Sequence, residues 1–240
     1  MKKYYTRVCN FYYGKTSKEL VNQKKNLPLN GNKEISFNQI EIITRDTKKI
    51  INIKDIKKLP TFLRNKIIND LKVIIKKNKN FSNLNFKKTP NIMGILNLTP
   101  DSFSDGGKFD KKNKGLNHAK LLFNFGADII DVGGESTRPG SKPISLREEL
   151  RRIKKVVTKI SKKIPLSLDT RKSEIMTKGI KMGVKLINDV SGLTFDSKTI
   201  DVLKKNKIPF VIHHSQGNPE KMQNKPSYKN ELLDIFDFFE

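Results

Sequence analysis

The segment Gly126-Ala127-Asp128-Ile129-Ile130-Asp131-Val132-Gly133-Gly134 sets a short apolar run, residues 128–132, between a glycine suited to ending a helix and a glycine pair that opens a polar loop. The residues before it, 116–125, have helical spacing and stop at Gly126. Similar apolar runs recur at 92–98, 165–168, 185–187 and 209–212, each separated from the next by a helical stretch. Ser145, with Glu148 three residues on, forms a capping box that opens a helix to residue 163. A further helix over 172–182 ends at Gly183, and another over 197–205 carries Ile200, Val202 and Leu203. Strand followed by helix, five times over, predicts an α/β fold with a parallel sheet, because each crossover must carry the chain back before the next strand begins.

Upstream of residue 88 the rhythm differs. Lys, Asn and short Ile-rich runs alternate, and glycine is scarce. Residues 39–44 and 49–53 read as short strands from their β-branched content, with Arg45-Asp46-Thr47 as the turn between them. Residues 60–77 read as a helix with Pro60 near its first turn and an apolar stripe through Phe62, Ile67, Ile68, Leu71, Ile74 and Ile75. Residues 78–88 read as a linker. The expected organisation is therefore a small α+β N-terminal region, 1–88, followed by an α/β segment, 89–240.

The 240 residues carry 49 Lys plus Arg against 24 Asp plus Glu, a net charge of +25. Such an excess suits phosphate neutralisation, so a basic nucleic-acid-binding protein is one reading. The lysines are spread along the whole chain among abundant Asn and Ile, which favours a solvated basic surface, with long-range steering of an anionic small substrate as its use. No run approaches the roughly 18 apolar residues of a membrane span. The N-terminus lacks the apolar core of a secretory signal, and the single cysteine, Cys9, excludes an internal disulfide, so a cytoplasmic protein is expected.

Each expected strand of the second segment ends in a polar side chain: Asn97, Asp131, Asp169, Asn188 with Asp189, and His213 with His214. In a parallel sheet these carboxyl ends lie on one rim, where α/β proteins build their sites. Any one such residue can simply cap a helix or turn a loop. Five together point to a site. After Asn97 comes Leu98-Thr99-Pro100-Asp101-Ser102-Phe103-Ser104-Asp105-Gly106-Gly107, a turn-rich loop whose Phe103 suits closure over a flat ligand. After Asp131 comes Gly133-Gly134-Glu135-Ser136-Thr137-Arg138-Pro139-Gly140-Ser141, where paired glycines allow close backbone approach and Arg138 offers a fork of donors suited to phosphate. Neither loop is a Walker or dinucleotide fingerprint. A cysteine nucleophile is disfavoured because Cys9 is remote from the histidines. Adjacent His213 and His214 point to opposite sides of a strand, so a shared transition metal is disfavoured as well. A hard divalent ion such as Mg²⁺, completed by water and substrate phosphate, suits the carboxylate and amide inventory.

The run from Asn91 to Gly107 resembles the first signature of the dihydropteroate synthase family, and G-A-D-I-I-D-V-G-G-E-S-T-R-P-G over 126–140 resembles its second. Ser167-Leu168-Asp169-Thr170, Ile187-Asn188-Asp189-Val190-Ser191-Gly192 and His214-Ser215-Gln216-Gly217-Asn218-Pro219 are similar to the family's third, fourth and fifth strand ends, in order. The resemblance covers residues 90–230. It implies a (β/α)8 TIM barrel and condensation of p-aminobenzoate with a dihydropterin-methyl diphosphate, giving 7,8-dihydropteroate and pyrophosphate. It further implies Mg²⁺ at Asn97 and Asp105, and diphosphate or amine contacts from Thr137 and Arg138. Phe103 and Pro139 would wall the p-aminobenzoate subsite, with Asp101 among the substrate-binding residues of the same loop. Asp169 and Asn188 would hydrogen-bond the pterin edge and, with Arg138, carry the catalysis.

The match also departs from the family. A complete barrel needs eight strands and about 250 residues, whereas residues 89–240 supply five strands. The family's later Asp-Pro-Gly, Ser-Arg-Lys and final Arg and His motifs do not occur. The chain is expected to be a piece of a longer protein rather than a remnant, and to be poorly soluble and inactive alone. His213 stands where the family usually has an apolar residue, often Met, against the pterin. A methyltetrahydrofolate-dependent methyltransferase barrel is the rival reading, and the two loops argue against it. The N-terminal region is expected to be an accessory extension without chemistry, and a homodimer is left open.

Overall fold

The computed structural model describes residues 3–77, 91–99, 113–136, 141–216 and 226–240. Contacts divide the chain into two compact units, one of residues 1–79 with 229–238 and 240, the other of 80–228 with 239.

In the N-terminal unit, strands β1 (Tyr5–Tyr13), β2 (Leu27–Leu29), β3 (Asn32–Ile43) and β4 (Lys48–Asn52) form an antiparallel sheet in which β3 pairs with the other three. Helix α1 (Gly14–Asn22) connects β1 to β2, and helix α2 (Thr61–Ile74) follows a 3-10 turn at Ile53–Lys58. Phe37, Ile40 and Ile42 of β3 pack with Ile56, Ile67 and Leu71. The two strands and the helix expected from sequence are present, with the stripe residues Ile67 and Leu71 buried. Phe62 of that stripe is exposed. The sequence reading assigned no element to residues 1–38, which here supply β1, α1, β2 and half of β3. Their pairing joins positions far apart in the chain, such as Tyr5 with Ile43, so no local period announces it.

Helix α7 (Glu231–Phe239) lies in the segment read as barrel, yet residues 229–238 make their contacts in the N-terminal unit. Leu233 is buried with Tyr5 and Ile43. Arg45 pairs with Asp234 and Asp237, and Lys3 reaches Asp237 at 2.6 Å.

In the second unit, β5 (Met93–Asn97), β6 (Ile129–Gly133), β7 (Leu166–Asp169), β8 (Leu186–Asp189) and β9 (Phe210–Ile212) lie side by side in sequence order, all parallel. The helices are α3 (Lys114–Asn124), α4 (Leu146–Ile160), α5 (Ser173–Lys181) and α6 (Thr199–Asn206). These are the expected five strands, each with its boundary within a residue or two of the sequence reading. Because strand side chains alternate, Leu96, Ile130, Val132, Leu166, Leu168 and Ile187 form one face. That face packs on Leu116 and Ala119 of α3, Ile153, Val156, Val157 and Ile160 of α4, Ile175 and Met176 of α5, and Leu203 of α6. The other face carries Ile95, Asn97, Asp131, Ser167, Asp169 and Asn188.

Gly126 and Gly183 follow α3 and α5 at φ +103° and +100°, the left-handed region that ends a helix and that glycine adopts without strain. Half of the capping box is present. Ser145 Oγ accepts from Glu148 N at 3.2 Å, but the Glu148 carboxylate turns outward to Arg151 and Arg152.

Candidate functional site

Register puts Asn97, Gly133, Asp169 and Asn188 opposite one another on four adjacent strands. A single row across the sheet thus gathers an amide, a bare backbone position, a carboxyl and a second amide at the carboxyl ends of the strands. A Cβ on Gly133 would stand 3.4 Å from both Asn97 Oδ1 and Asp169 Oδ2, so the two polar groups flank the glycine closely and its missing side chain leaves the floor between them open. Gly134, read from sequence as a point of ligand approach, serves packing instead: a Cβ there would meet Ile153 Cγ2 at 2.8 Å and Glu149 O at 3.1 Å.

Beside this row the polar groups form a chain. Asn188 Nδ2 donates to Asp131 Oδ2 at 2.9 Å, and Asn188 Oδ1 lies 2.8 Å from His213 Nε2. Burial pushes the Asp131 carboxyl above its ordinary value, and Ser167, Asn188 and His213 oppose that shift. Asp169 has less help. Burial, then the negative charges of Asp131, Glu149, Asp189 and Glu135, push its carboxyl up to about 8, and its Oδ1 is buried without a hydrogen-bond partner among the described residues. An unmatched buried carboxyl oxygen at the rim of a parallel sheet is placed to meet a ligand donor.

A second cluster lies behind the loop that follows β6. Glu135 Oε2 accepts from Arg171 Nε at 2.9 Å, and its Oε1 accepts from Lys172 Nζ at 2.8 Å and Ile144 N at 2.9 Å. Lys172 also donates to Glu149 Oε2 at 2.6 Å and to Ile144 O at 3.0 Å. Thr170 Oγ1 donates to Glu149 Oε1 at 2.5 Å. All of these side chains are buried. Burial alone would raise the Glu135 carboxyl, but the donors from Lys172, Ile144 and Arg171 outweigh it and hold the group below its ordinary value. Arg152 Nη1 donates to Gly134 O at 2.9 Å and Ser141 Oγ to Ser136 O at 2.7 Å. The backbone at 134–136 is thereby tied to residues 141–144, on the far side of residues 137–140.

Of the site residues named from sequence, Asn97, Asp169, Asn188 and His213 converge as expected on one rim. Asp101, Phe103, Asp105, Thr137, Arg138 and Pro139 lie outside the described residues. His214 turns to Tyr228, whose hydroxyl is 3.0 Å from its Nε2, so the two histidines diverge as the strand alternation required. Asp189 belongs to the turn rather than the mouth: its Oδ1 accepts from Ser191 N at 2.8 Å and Ser191 Oγ at 2.6 Å. Sequence reasoning placed Asp131 at the rim but not as the acceptor that holds Asn188, and it missed Ser167 and the whole Glu135–Glu149–Arg171–Lys172 cluster. Asp131 was visible as a polar residue inside an apolar run. Lys172 was indistinguishable from the many surface lysines.

Comparison with known proteins bears on the family. The family profile described as pterin binding enzyme matches residues 93–240. The dihydropteroate synthase of Synechocystis is 41% identical over 150 residues, covering 62% of this chain and 52% of that protein. The solved structure of Clostridium difficile dihydropteroate synthase in the presence of pteroic acid is 43% identical, with a TM-score of 0.56, over 62% of this chain and 55% of that one. The Xanthomonas albilineans dihydropteroate synthase structure with 4-aminobenzoic acid is 37% identical, with a TM-score of 0.56, over 62% and 53%. The chain spans about half the length of these relatives. With its family profile matched along most of the chain and a polar row at the strand ends where the family's motifs predicted it, the chain belongs to the pterin-binding enzyme family.

Proposed function

We propose that the full protein is a dihydropteroate synthase, joining p-aminobenzoate to 6-hydroxymethyl-7,8-dihydropterin diphosphate with release of pyrophosphate. The observation that carries this reading is the Asn97–Gly133–Asp169–Asn188 row: a glycine floor flanked by an amide and a carboxyl, with a second amide alongside, suits the polar edge of a flat heterocycle. The relatives solved in the presence of pteroic acid or with 4-aminobenzoic acid support the same pairing of substrates.

In the reaction the amine nitrogen of p-aminobenzoate attacks the methylene carbon, the carbon–oxygen bond to diphosphate breaks, and the amine loses a proton. A neutral aniline nitrogen is already nucleophilic, so holding the partners in line and stabilising charge carry most of the rate. Asp169 and Asn188 hold the pterin, and the Asp169 carboxyl, ionised against the heterocycle, stabilises positive charge that develops as pyrophosphate departs. Arg138 and Thr137 receive the diphosphate, Phe103 and Pro139 flank the amine substrate, and Asp101 joins the substrate-binding set.

Mg²⁺ fits the donor set at Asn97, whose amide oxygen is a hard ligand at the mouth, with Asp105 as the second candidate. Such an ion takes few protein ligands and supplies charge neutralisation at the leaving diphosphate. The reading takes the reaction to be cytoplasmic. The test is an assay of the full-length protein with both substrates and Mg²⁺, following dihydropteroate by chromatography. Formation dependent on both substrates supports the proposal, and its absence from a folded preparation overturns it. Phe103→Ala is expected to raise KM for p-aminobenzoate chiefly, and Asp169→Ala and Asn188→Ala to impair pterin capture.

A further inference from the structure

We propose that His213 is a positioning residue: its Nε2–H and the Asp131 carboxylate together lock the Asn188 amide in one orientation and so determine which donor–acceptor edge the site offers a pterin. The inference rests on the pterin-site reading above. It starts from direction in the hydrogen-bond chain. An ionised carboxylate only accepts, so the Asn188 atom 2.9 Å from Asp131 Oδ2 is the amide nitrogen. The other end of the amide is then the oxygen, and the ring nitrogen 2.8 Å from it must be the donor, which selects the Nε2–H form of His213.

The ring is held in place by its own backbone, since His213 N donates to Asp189 O at 3.4 Å and extends β9 along β8. Asn188 is itself fixed on β8, opposite Asp169 in register. With one N–H spent on Asp131 and one lone pair on His213, the amide retains one N–H and one lone pair. A pterin edge, with adjacent ring N–H and carbonyl groups, is complementary to such a pair only in one orientation of the amide. Flipping the amide would set its oxygen against the Asp131 carboxylate, which cannot donate, and would require His213 to give up its Nε2–H tautomer, so the two neighbours together favour one state. A thioether at position 213 would leave only the Asp131 contact to hold the amide.

The experiment compares wild type, His213→Met and His213→Gln in the full-length protein, using calorimetric titration with 6-hydroxymethylpterin and steady-state kinetics with both substrates. Glutamine keeps a donor that can reach Asn188, whereas methionine keeps bulk alone. His213→Met is expected to weaken pterin binding about tenfold, the loss of one net hydrogen bond, and to raise KM for the pterin substrate more than KM for p-aminobenzoate. His213→Gln is expected to retain affinity within about twofold. Equal affinity in wild type and His213→Met overturns the proposal, as does a His213→Gln protein no better than His213→Met. Because the titration needs no turnover, a wild type that binds pterin with this pattern but forms no dihydropteroate removes the synthase reading and leaves the positioning role standing. A folded wild type that fails to bind the pterin overturns both.

Discussion

Lys172 places its ammonium 2.6 Å from Glu149 Oε2, with both side chains buried. A buried pair of this kind is weak evidence of net stability, but removing one partner leaves the other charged and unmatched. Lys172→Met strips Glu135 and Glu149 of a shared donor at once and is expected to destabilise the protein by about 3–5 kcal/mol. Chemical denaturation of the full-length protein checks this, and a loss below about 1 kcal/mol contradicts the cluster's role.

The Asp169 carboxyl, pushed up to about 8 by burial and then by neighbouring carboxylates, stays protonated in the folded state where the unfolded chain has already ionised. Its contribution to stability is therefore complete at acid pH, below the ordinary carboxylate value, and is lost as pH rises towards 8. Asp169→Asn removes the ionisation. The variant is therefore expected to gain stability relative to wild type as pH rises towards about 8. Melting temperatures across pH 5–9 check it: parallel curves for the two proteins contradict the shift.

The same ionisation links to ligand binding. A pterin donor set against the buried Asp169 oxygen favours the carboxylate, so binding near neutral pH is expected to release part of a proton. Calorimetry in buffers of different ionisation enthalpy reads this directly, and the release disappears in Asp169→Asn.

Ser145 caps α4 through the Glu148 N–H alone, the reciprocal side-chain bond being absent. Ser145→Ala is expected to cost about 1 kcal/mol, and Glu148→Gln to leave the cap intact. Equilibrium unfolding of the two variants separates a one-sided cap from a full capping box.

The paired glycines have separate duties. Gly134→Ala drives a methyl into Ile153 and the α4 backbone and is expected to destabilise by about 1–3 kcal/mol. Gly133→Ala meets Asn97 and Asp169 at ordinary contact distance and is expected to fold while blocking the floor of the site. A folded, pterin-binding Gly133→Ala protein contradicts the placement of the ligand.

The five parallel strands and their helices were legible in the sequence because alternation of apolar runs with helical stretches leaves a local period, and Gly126 and Gly183 mark where helices end. The convergence of Asn97, Asp169, Asn188 and His213 was legible for the same reason: parallel strands put their carboxyl ends together. The N-terminal strands β1 and β2 were not legible, since each is defined by its partner in β3 rather than by its own pattern.

Sequence by itself determined that Asn97, Asp169, Asn188 and His213 come to one rim, because strand direction and the two-residue alternation are properties of the chain. Tertiary structure alone decided what those groups do to one another. That Asn188 is spoken for by Asp131 and His213, that Asp169 is left with an unmatched oxygen, and that Lys172 is a buried tie rather than another surface cation all depend on distances between segments. Hydrogen bonds and charge interactions inside a protein act over a few ångströms through a poorly polarisable medium, so their outcome is written only where separate strands meet.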